Sequence, residues 1–180
     1  YSDNYIQYNY GIDNKNVVIM KNGELEEGEE EDVALYEEMY DFITGNDMAD
    51  PANYAKAAEM IDMGQLADLT AMHLYIYNKD GIFQNNNWQM WRAREVDETI
   101  PVADGKWRFL SYDVDFSSGV YDGGKTHTED NISPVLLDPV EHEHRHTALL
   151  VRALWQNEDF RRELLTALCD ARNIFFDAHR

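Results

Sequence analysis

Carboxylate and amide side chains are concentrated at two places in the middle of the chain. The first is the loop of residues 78–87, which contains Asp80 and ends in three consecutive asparagines. The second is the pair Asp113 and Asp115, about 30 residues further on. Carboxylate and amide oxygens are the ligands that Mg²⁺, Mn²⁺ and Ca²⁺ prefer in proteins. These residue types therefore predict a divalent-cation site, provided that the fold brings the two places together.

Two predicted β-strands would bring them together. Large apolar residues alternate with polar ones over residues 88–90 and again over residues 107–109, which is the period of a half-buried antiparallel pair. In such a pair the end of the second strand lies beside the start of the first. Residues two apart on a strand share a face, so Asp113 and Asp115 are expected to point to one spot beside Asp80.

The composition indicates one folded domain with a strongly acidic surface. The chain has 180 residues, of which 44% are apolar and 12% aromatic, enough for a sizeable core. Its formal net charge of -20 argues against nucleic acid and anionic membrane surfaces as partners. The same charge repels ATP, so a nucleotide site would need a divalent cation and a local positive patch. The sequence contains no apolar run of membrane length. Cys169 is the single cysteine and is expected to be a buried thiol.

The remaining sequence predicts a strand and several helices that support this centre. Residues 17–20 are predicted as a buried strand, and the acidic run of residues 23–32 as a solvated loop leading into a helix that ends at Gly45. Asp50 is expected to cap a short helix that runs through Met60. Asp62 and Gln65 predict a capping box for a longer helix, which ends at Asn78. Two terminal helices follow, the second capped by Asn157.

Histidines offer a weaker alternative for metal binding. His73 lies on the predicted buried face of the helix before the 78–87 loop, which favours a core histidine over a ligand. Imidazoles recur at every second position of residues 142–146. That run has no evident fourth ligand and leads into a helix, which favours a structural role over a zinc site.

The order of motifs along the chain resembles the CotH kinase family, atypical secretory kinases named for a spore-coat protein. The central motifs are Asn78-x-Asp80, the amide-rich loop, Trp91-Arg92, Gly105-Lys-Trp107-Arg and Tyr112-Asp-x-Asp115-Phe. The resemblance extends to the strand at residues 17–21, to Ile61-Asp62 and to the segment that begins at Arg152.

The resemblance implies roles for the acids in phosphoryl transfer. Asp80 resembles the catalytic-loop aspartate of protein kinases, which accepts the proton of the substrate hydroxyl. Asp113 resembles the aspartate that binds the metal, and Asp115 matches the second acid of the family's pair, which supports the metal or binds it directly.

Two further positions are implied with alternatives. Counting five residues from Asp80 places the metal-binding asparagine at Asn85. Counting back from the strand end at Trp91 places it at Asn87 instead. Asn87 is favoured, because strand register is harder to shift than loop length. Trp107 matches a tryptophan that lies against the nucleotide base in the family. The alternative, an ordinary core aromatic residue, stays open.

The fold and function implied are those of a kinase lobe. An α+β fold is expected, mainly helical and similar to a kinase carboxyl-terminal lobe, with a small antiparallel β-hairpin carrying the active-site face. Residues 1–180 are expected to be a single domain and the carboxyl-terminal lobe of a longer protein, since no nucleotide-covering half precedes Asp13. The implied activity is Mg²⁺- or Mn²⁺-dependent transfer from ATP to hydroxyl groups of a protein substrate, outside the cell or on a cell or spore surface. The alternative is a secreted non-catalytic binding module or a metal-stabilised structural domain. The oligomeric state is not predicted.

Overall fold

The structure is a computed structural model that describes residues 1–78, 80–84, 86–120, 123, 130–137 and 146–175, with Gln84, His146 and Phe175 described by their backbone alone. The described α-helices are α1 (Asp3–Tyr10), α2 (Val33–Gly45), α3 (Pro51–Met60), α4 (Met63–Ile76), α5 (Ser133–Leu136), α6 (His146–Trp155) and α7 (Glu158–Asp170). The described strands are β1 (Val17–Lys21), β2 (Glu24–Glu27), β3 (Trp88–Ala93) and β4 (Arg108–Ser111). The predicted α+β class with mainly helical content is confirmed. No helix among the described residues is both long enough and apolar enough to span a bilayer.

The predicted hairpin is present within a larger sheet. The four strands lie in the order β2-β1-β3-β4, and all neighbours are antiparallel. Trp88 pairs with Ser111, so the end of β4 lies beside the start of β3, as predicted. Lys21 pairs with Gln89, so the end of β1 arrives at the same place. We call this place, formed by the ends of β1 and β4 and the start of β3, the loop edge of the sheet.

The two faces of the sheet are buried by different partners. One face, which includes Met20 and Met90, packs into the main core formed with the helices. The other face, which includes Ile19 and Trp91, is covered by Ile6 of α1. A one-residue slip of β1 or β3 would exchange the side chains of the two buried faces, so the register of these two strands is strongly specified.

Helix α4 is capped by Asp62, as predicted. It is also tied to the sheet by contacts of Gln65 that the sequence did not predict. The carboxylate of Asp62 accepts a hydrogen bond from the backbone N–H of Gln65 at 3.1 Å. The Gln65 side chain does not complete a capping box. Its amide instead donates to the carbonyl of Phe109 and accepts from its N–H, both at 2.7 Å. Helix α4 is therefore held against β4, which fixes the loop that follows the helix relative to the sheet.

Two predictions about other segments are wrong. The acidic run contains strand β2, and Asp32 at its end is buried, where Arg94 donates to both carboxylate oxygens. Cys169 is exposed on α7, because the apolar stripe of that helix turns Phe160 and Leu164 inward instead.

Candidate active site

Asp80 lies at the centre of a hydrogen-bonded loop that follows α4. Its backbone N–H donates to Asn78 Oδ1 at 3.0 Å. One carboxylate oxygen accepts from Asn86 Nδ2 at 2.7 Å, and the other accepts from Asn87 Nδ2 at 3.2 Å. The amide of Asn87 also donates to the Asp80 carbonyl at 2.9 Å. Amide donors on both oxygens hold the half-buried carboxylate in one orientation.

The described asparagines of this loop differ in what remains available for a cation. The Oδ1 of Asn86 accepts a hydrogen bond from Asn22 at 3.4 Å. The Oδ1 of Asn87 has no partner among the described residues. Asn87 adopts a left-handed conformation with φ 50°, which asparagine tolerates better than most residues. Within the described part of the chain, the Asn87 amide oxygen is therefore open to a further ligand, while Asn85 lies outside the described residues.

Asn22 is a part of this network that the sequence analysis missed. It occupies the turn between β1 and β2 with φ 51°. Its Oδ1 accepts from the backbone N–H of Trp88 at 3.2 Å, and its own N–H donates to the Trp88 carbonyl at 3.2 Å. The Asn22-Gly23 dipeptide is a hairpin signal that predicts the turn. Its contact with the Asp80 loop depends on the sheet order.

Asp113 and Asp115 lie just beyond β4, where their geometry differs from the prediction. They do not share a strand face, because β4 ends at Ser111 and Asp113 has φ 52°. Their carboxyl groups nevertheless meet. A hydrogen bond that the protonated Asp113 carboxyl donates to the Asp115 carboxylate, together with desolvation and the nearby negative charge, raises the pKa of Asp113 above its ordinary value. Two neighbouring carboxyl groups supply the oxygen ligands that a divalent cation prefers.

The Asp80 loop and the Asp113–Asp115 pair both lie at the loop edge. Trp88, which follows Asn87, is the pairing partner of Ser111, and neighbouring strands are about 4.8 Å apart. No hydrogen bond joins the two groups within the described part of the chain. In those same residues no three histidine, cysteine, aspartate or glutamate side chains converge as a metal site. The fold thus brings both groups to one edge, and their joining around one cation stays a prediction.

Trp107 lies elsewhere. It is fully buried near the opposite end of β4, where it bridges to Ile61. Its indole N–H donates to the Leu35 carbonyl at 3.2 Å, and its ring meets Tyr36 edge-on at 5.8 Å. Arg92 lies over the ring, 5.8 Å from its centre. This is the environment of a core aromatic residue and leaves no face of the indole open to a nucleotide base.

A positive side chain is also present at the loop edge. Lys21 ends β1, half-exposed, with its Nζ 3.3 Å from a carboxylate oxygen of Glu26. It is close enough to Tyr112 that its charge acts on that phenol, although burial dominates and raises the pKa of Tyr112. The run of residues 141–145, with its zinc alternative, lies outside the described residues, as does the side chain of His146.

Comparison with known proteins gives one match. A family model described as "CotH kinase protein" matches residues 3–180. The search of curated proteins found no match, and the search of solved structures found none either. The family match covers the hairpin, the Asp80 loop and the Asp113–Asp115 pair. The chain therefore belongs to the CotH kinase family.

Proposed function

We propose that this chain performs Mg²⁺- or Mn²⁺-dependent phosphoryl transfer from ATP to protein hydroxyl groups, as the carboxyl-terminal lobe of a CotH-like kinase. The observation that carries the proposal is the arrangement at the loop edge. Asp80 is held there by Asn86 and Asn87, and the Asp113–Asp115 pair leaves the neighbouring strand. Family membership supports a kinase-type domain, and the geometry supports these residues as its working parts.

Asp80 is proposed as the catalytic base. An ionised carboxylate has about four lone-pair sites, and the amides of Asn86 and Asn87 occupy one on each oxygen. Acceptor capacity remains for the hydroxyl of a protein substrate, whose proton Asp80 accepts as the phosphoryl group is transferred. The two amides keep the carboxylate aimed before the substrate arrives, so little reorganisation is required.

The proposed metal ligands are Asn87, Asp113 and Asp115, with Asn85 as the alternative asparagine. Their donor set is entirely oxygen, which fits Mg²⁺ or Mn²⁺. A bound ion neutralises phosphate charge during transfer. Trp107 does not fit the role of base contact in this structure, because it is fully buried.

Electrostatics make the cation essential to this proposal. The formal net charge of -20 repels ATP, and a bound divalent ion would offset that repulsion. The Lys21 side chain adds a positive charge at the loop edge, which can face phosphate once it leaves Glu26. The proposal includes an amino-terminal lobe that covers the nucleotide. It also includes a location outside the cell or on a cell or spore surface, for which the support is the family resemblance.

A non-catalytic binding module is the second candidate. It is favoured by the lack of a convergent three-acid metal site among the described residues and by the aromatic surface of α1, where Tyr8 is 89% exposed and Tyr10 is 38% exposed. Tyrosines of this kind are enriched at protein interfaces. This candidate predicts that the chain binds a partner without any need for Mn²⁺ or ATP.

The test is a calorimetric titration of the chain with Mn²⁺, first alone and then in the presence of ATP. Loss of second-shell groups alone costs 10- to 100-fold in metal affinity, so Asp113→Asn is expected to weaken Mn²⁺ binding at least about tenfold. Asp41→Asn is the matched control, because Asp41 is an exposed carboxylate on α2 with no hydrogen bond among the described residues. Its affinity is expected to stay within about twofold of the unaltered chain, because it removes the same charge without a ligand.

The outcomes separate the candidates. A selective loss with Asp113→Asn supports the metal site. Equal weakening of Mn²⁺ binding by both variants would show that the loss reflects net charge and not a ligand. If the unaltered chain binds neither Mn²⁺ nor Mn²⁺–ATP, the kinase proposal is refuted in favour of the binding module.

A further inference from the structure

A buried histidine lies directly behind the Asp80 loop. His73 is on the inner face of α4 with 2% of its surface exposed. Its Nδ1 is 3.3 Å from Asn78 Nδ2, and its Nε2 has no hydrogen-bond partner within the described part of the chain. Burial lowers the pKa of His73 to about 4, so the ring is neutral at pH 7. The burial of His73 agrees with the expectation of a core histidine. Packing alone does not require the hydrogen bond between His73 and Asn78.

The hydrogen bonds determine which way each group is turned. The backbone N–H of Asp80 can only donate, so the oxygen of the Asn78 amide must face it, as the 3.0 Å contact shows. The NH₂ group of Asn78 therefore faces His73, and the neutral ring must accept at Nδ1. The ring proton is then on Nε2. The link is reinforced by the backbone N–H of Asn78, which donates to the His73 carbonyl at 3.1 Å.

Gly81 shows how closely the loop is packed onto this contact. A Cβ at this position would lie 2.6 Å from His73 Nδ1 and 2.7 Å from Asn78 Nδ2. Phe83 meets the imidazole edge-on, with 6.4 Å between ring centres. The loop thus closes over the His73–Asn78 hydrogen bond, so a change in that bond is felt at Gly81, next to Asp80.

We propose that His73 is a positioning residue for Asp80 that acts through Asn78. This inference rests on the proposed function, in which Asp80 is the catalytic base. The imidazole accepts from Asn78, which fixes the amide so that its oxygen holds the backbone of Asp80. From the other side, Asn86 and Asn87 hold the carboxylate. Asp80 is therefore fixed at both its main chain and its side chain, and the buried ring is the anchor of the main-chain contact.

The test uses two variants of nearly equal size, His73→Asn and His73→Leu. The asparagine oxygen lies close to the position of Nδ1 and can accept from Asn78, whereas leucine cannot accept. The measurement is the hydrogen-exchange rate of the Asp80 amide divided by that of Met90, a central amide of β3. A loss of global stability raises the Met90 rate and lowers this ratio, whereas a local loosening of the loop raises it. We expect the ratio to rise about five- to tenfold in His73→Leu and to stay near that of the unaltered chain in His73→Asn. A ¹⁵N spectrum of the unaltered chain is expected to show Nδ1 unprotonated and Nε2 protonated.

Equal ratios in both variants, whether unchanged or raised, would overturn the proposal, because the acceptor would then have no specific effect. A protonated Nδ1 at pH 7 would overturn it as well. Binding of Mn²⁺–ATP and transfer to a protein substrate, measured on the same variants, separate this inference from the proposed function. If the unaltered chain fails to bind Mn²⁺–ATP while Asp80 protection follows the acceptor, the function fails and the positioning of the loop stands. If transfer occurs and is the same in His73→Leu, the positioning role fails and the function stands.

Discussion

Replacing Gly81 with alanine tests the packing of the candidate active site with a single methyl group. The new Cβ would lie 2.6 Å from His73 Nδ1, 2.8 Å from His73 Cε1 and 2.7 Å from Asn78 Nδ2. Non-bonded heavy atoms prefer separations of about 3.5–4.0 Å. The neighbours are a buried ring and a hydrogen-bonded amide, neither of which can swing into solvent. The methyl group must therefore displace the loop or break the His73–Asn78 contact.

The expected cost has two parts. Overpacking a dense site costs about 1–3 kcal/mol, and loss of the His73–Asn78 hydrogen bond adds about 1 kcal/mol. Taken together, Gly81→Ala is expected to lower the free energy of unfolding by about 3 kcal/mol. For a chain of this size that corresponds to a fall in Tm of about 6–12 °C. Urea denaturation followed by circular dichroism measures the first quantity, and a thermal scan measures the second.

Gly45→Ala is the matched control for the same chemical change. Gly45 is the last residue of α2, and a Cβ there would meet no atom within 4 Å. Alanine favours the helix by up to about 1 kcal/mol over glycine, so this variant is expected to be neutral or slightly stabilised. If Gly81→Ala were as stable as Gly45→Ala and left the exchange of the Asp80 amide unchanged, the packing that we infer between the loop and His73 would be wrong.

Two further predictions concern stability. The pKa of His73 is about 4 in the fold against an ordinary 6.5, so the unfolded chain takes up a proton first and the protein loses about 3 kcal/mol of stability as the pH falls from 7 to 4. His73→Asn is expected to remove that part of the pH dependence in urea titrations, and an unchanged profile would show that the ring titrates normally. Asp32→Asn is expected to cost about 2 kcal/mol in the same assay, because the buried side chain loses its charge-assisted hydrogen bonds from Arg94. Arg162→Ala, which breaks only exposed ion pairs, is expected to have little effect, and comparable losses in both would contradict the importance of burial.

Short-range patterns in the sequence were enough to predict much of the fold. The alternation of residues 88–90 and 107–109 predicted the β3–β4 pair, although β3 is buried on both faces rather than on one. The caps Asp50, Asp62 and Asn157 were predicted because a side chain bonds a backbone N–H two or three residues away. Asp80 could be singled out in the same way, from its place among amides in a loop between a helix and a strand.

Other features followed only from contacts between distant segments. Strand β2 lies in an acidic run with weak strand propensity and forms because β1 offers a pairing edge. The side chain of Gln65 met Phe109 rather than its own helix. Trp107 is a core residue because α2 packs against it, with Tyr36 at its ring and the Leu35 carbonyl at its indole N–H.

The candidate site shows the same division. The residue types of Asp80, Asn87, Asp113 and Asp115 were evident from the sequence, but their partners were not. Asn22 meets Asn86 because β1 lies next to β3, and the Asp113–Asp115 contact forms in a turn, after β4 has ended. Local patterns record interactions within a few residues, whereas the surroundings of a side chain depend on which distant segments the core brings together. For that reason the sequence alone indicated which groups could do chemistry, and the tertiary structure decided which of them are held together.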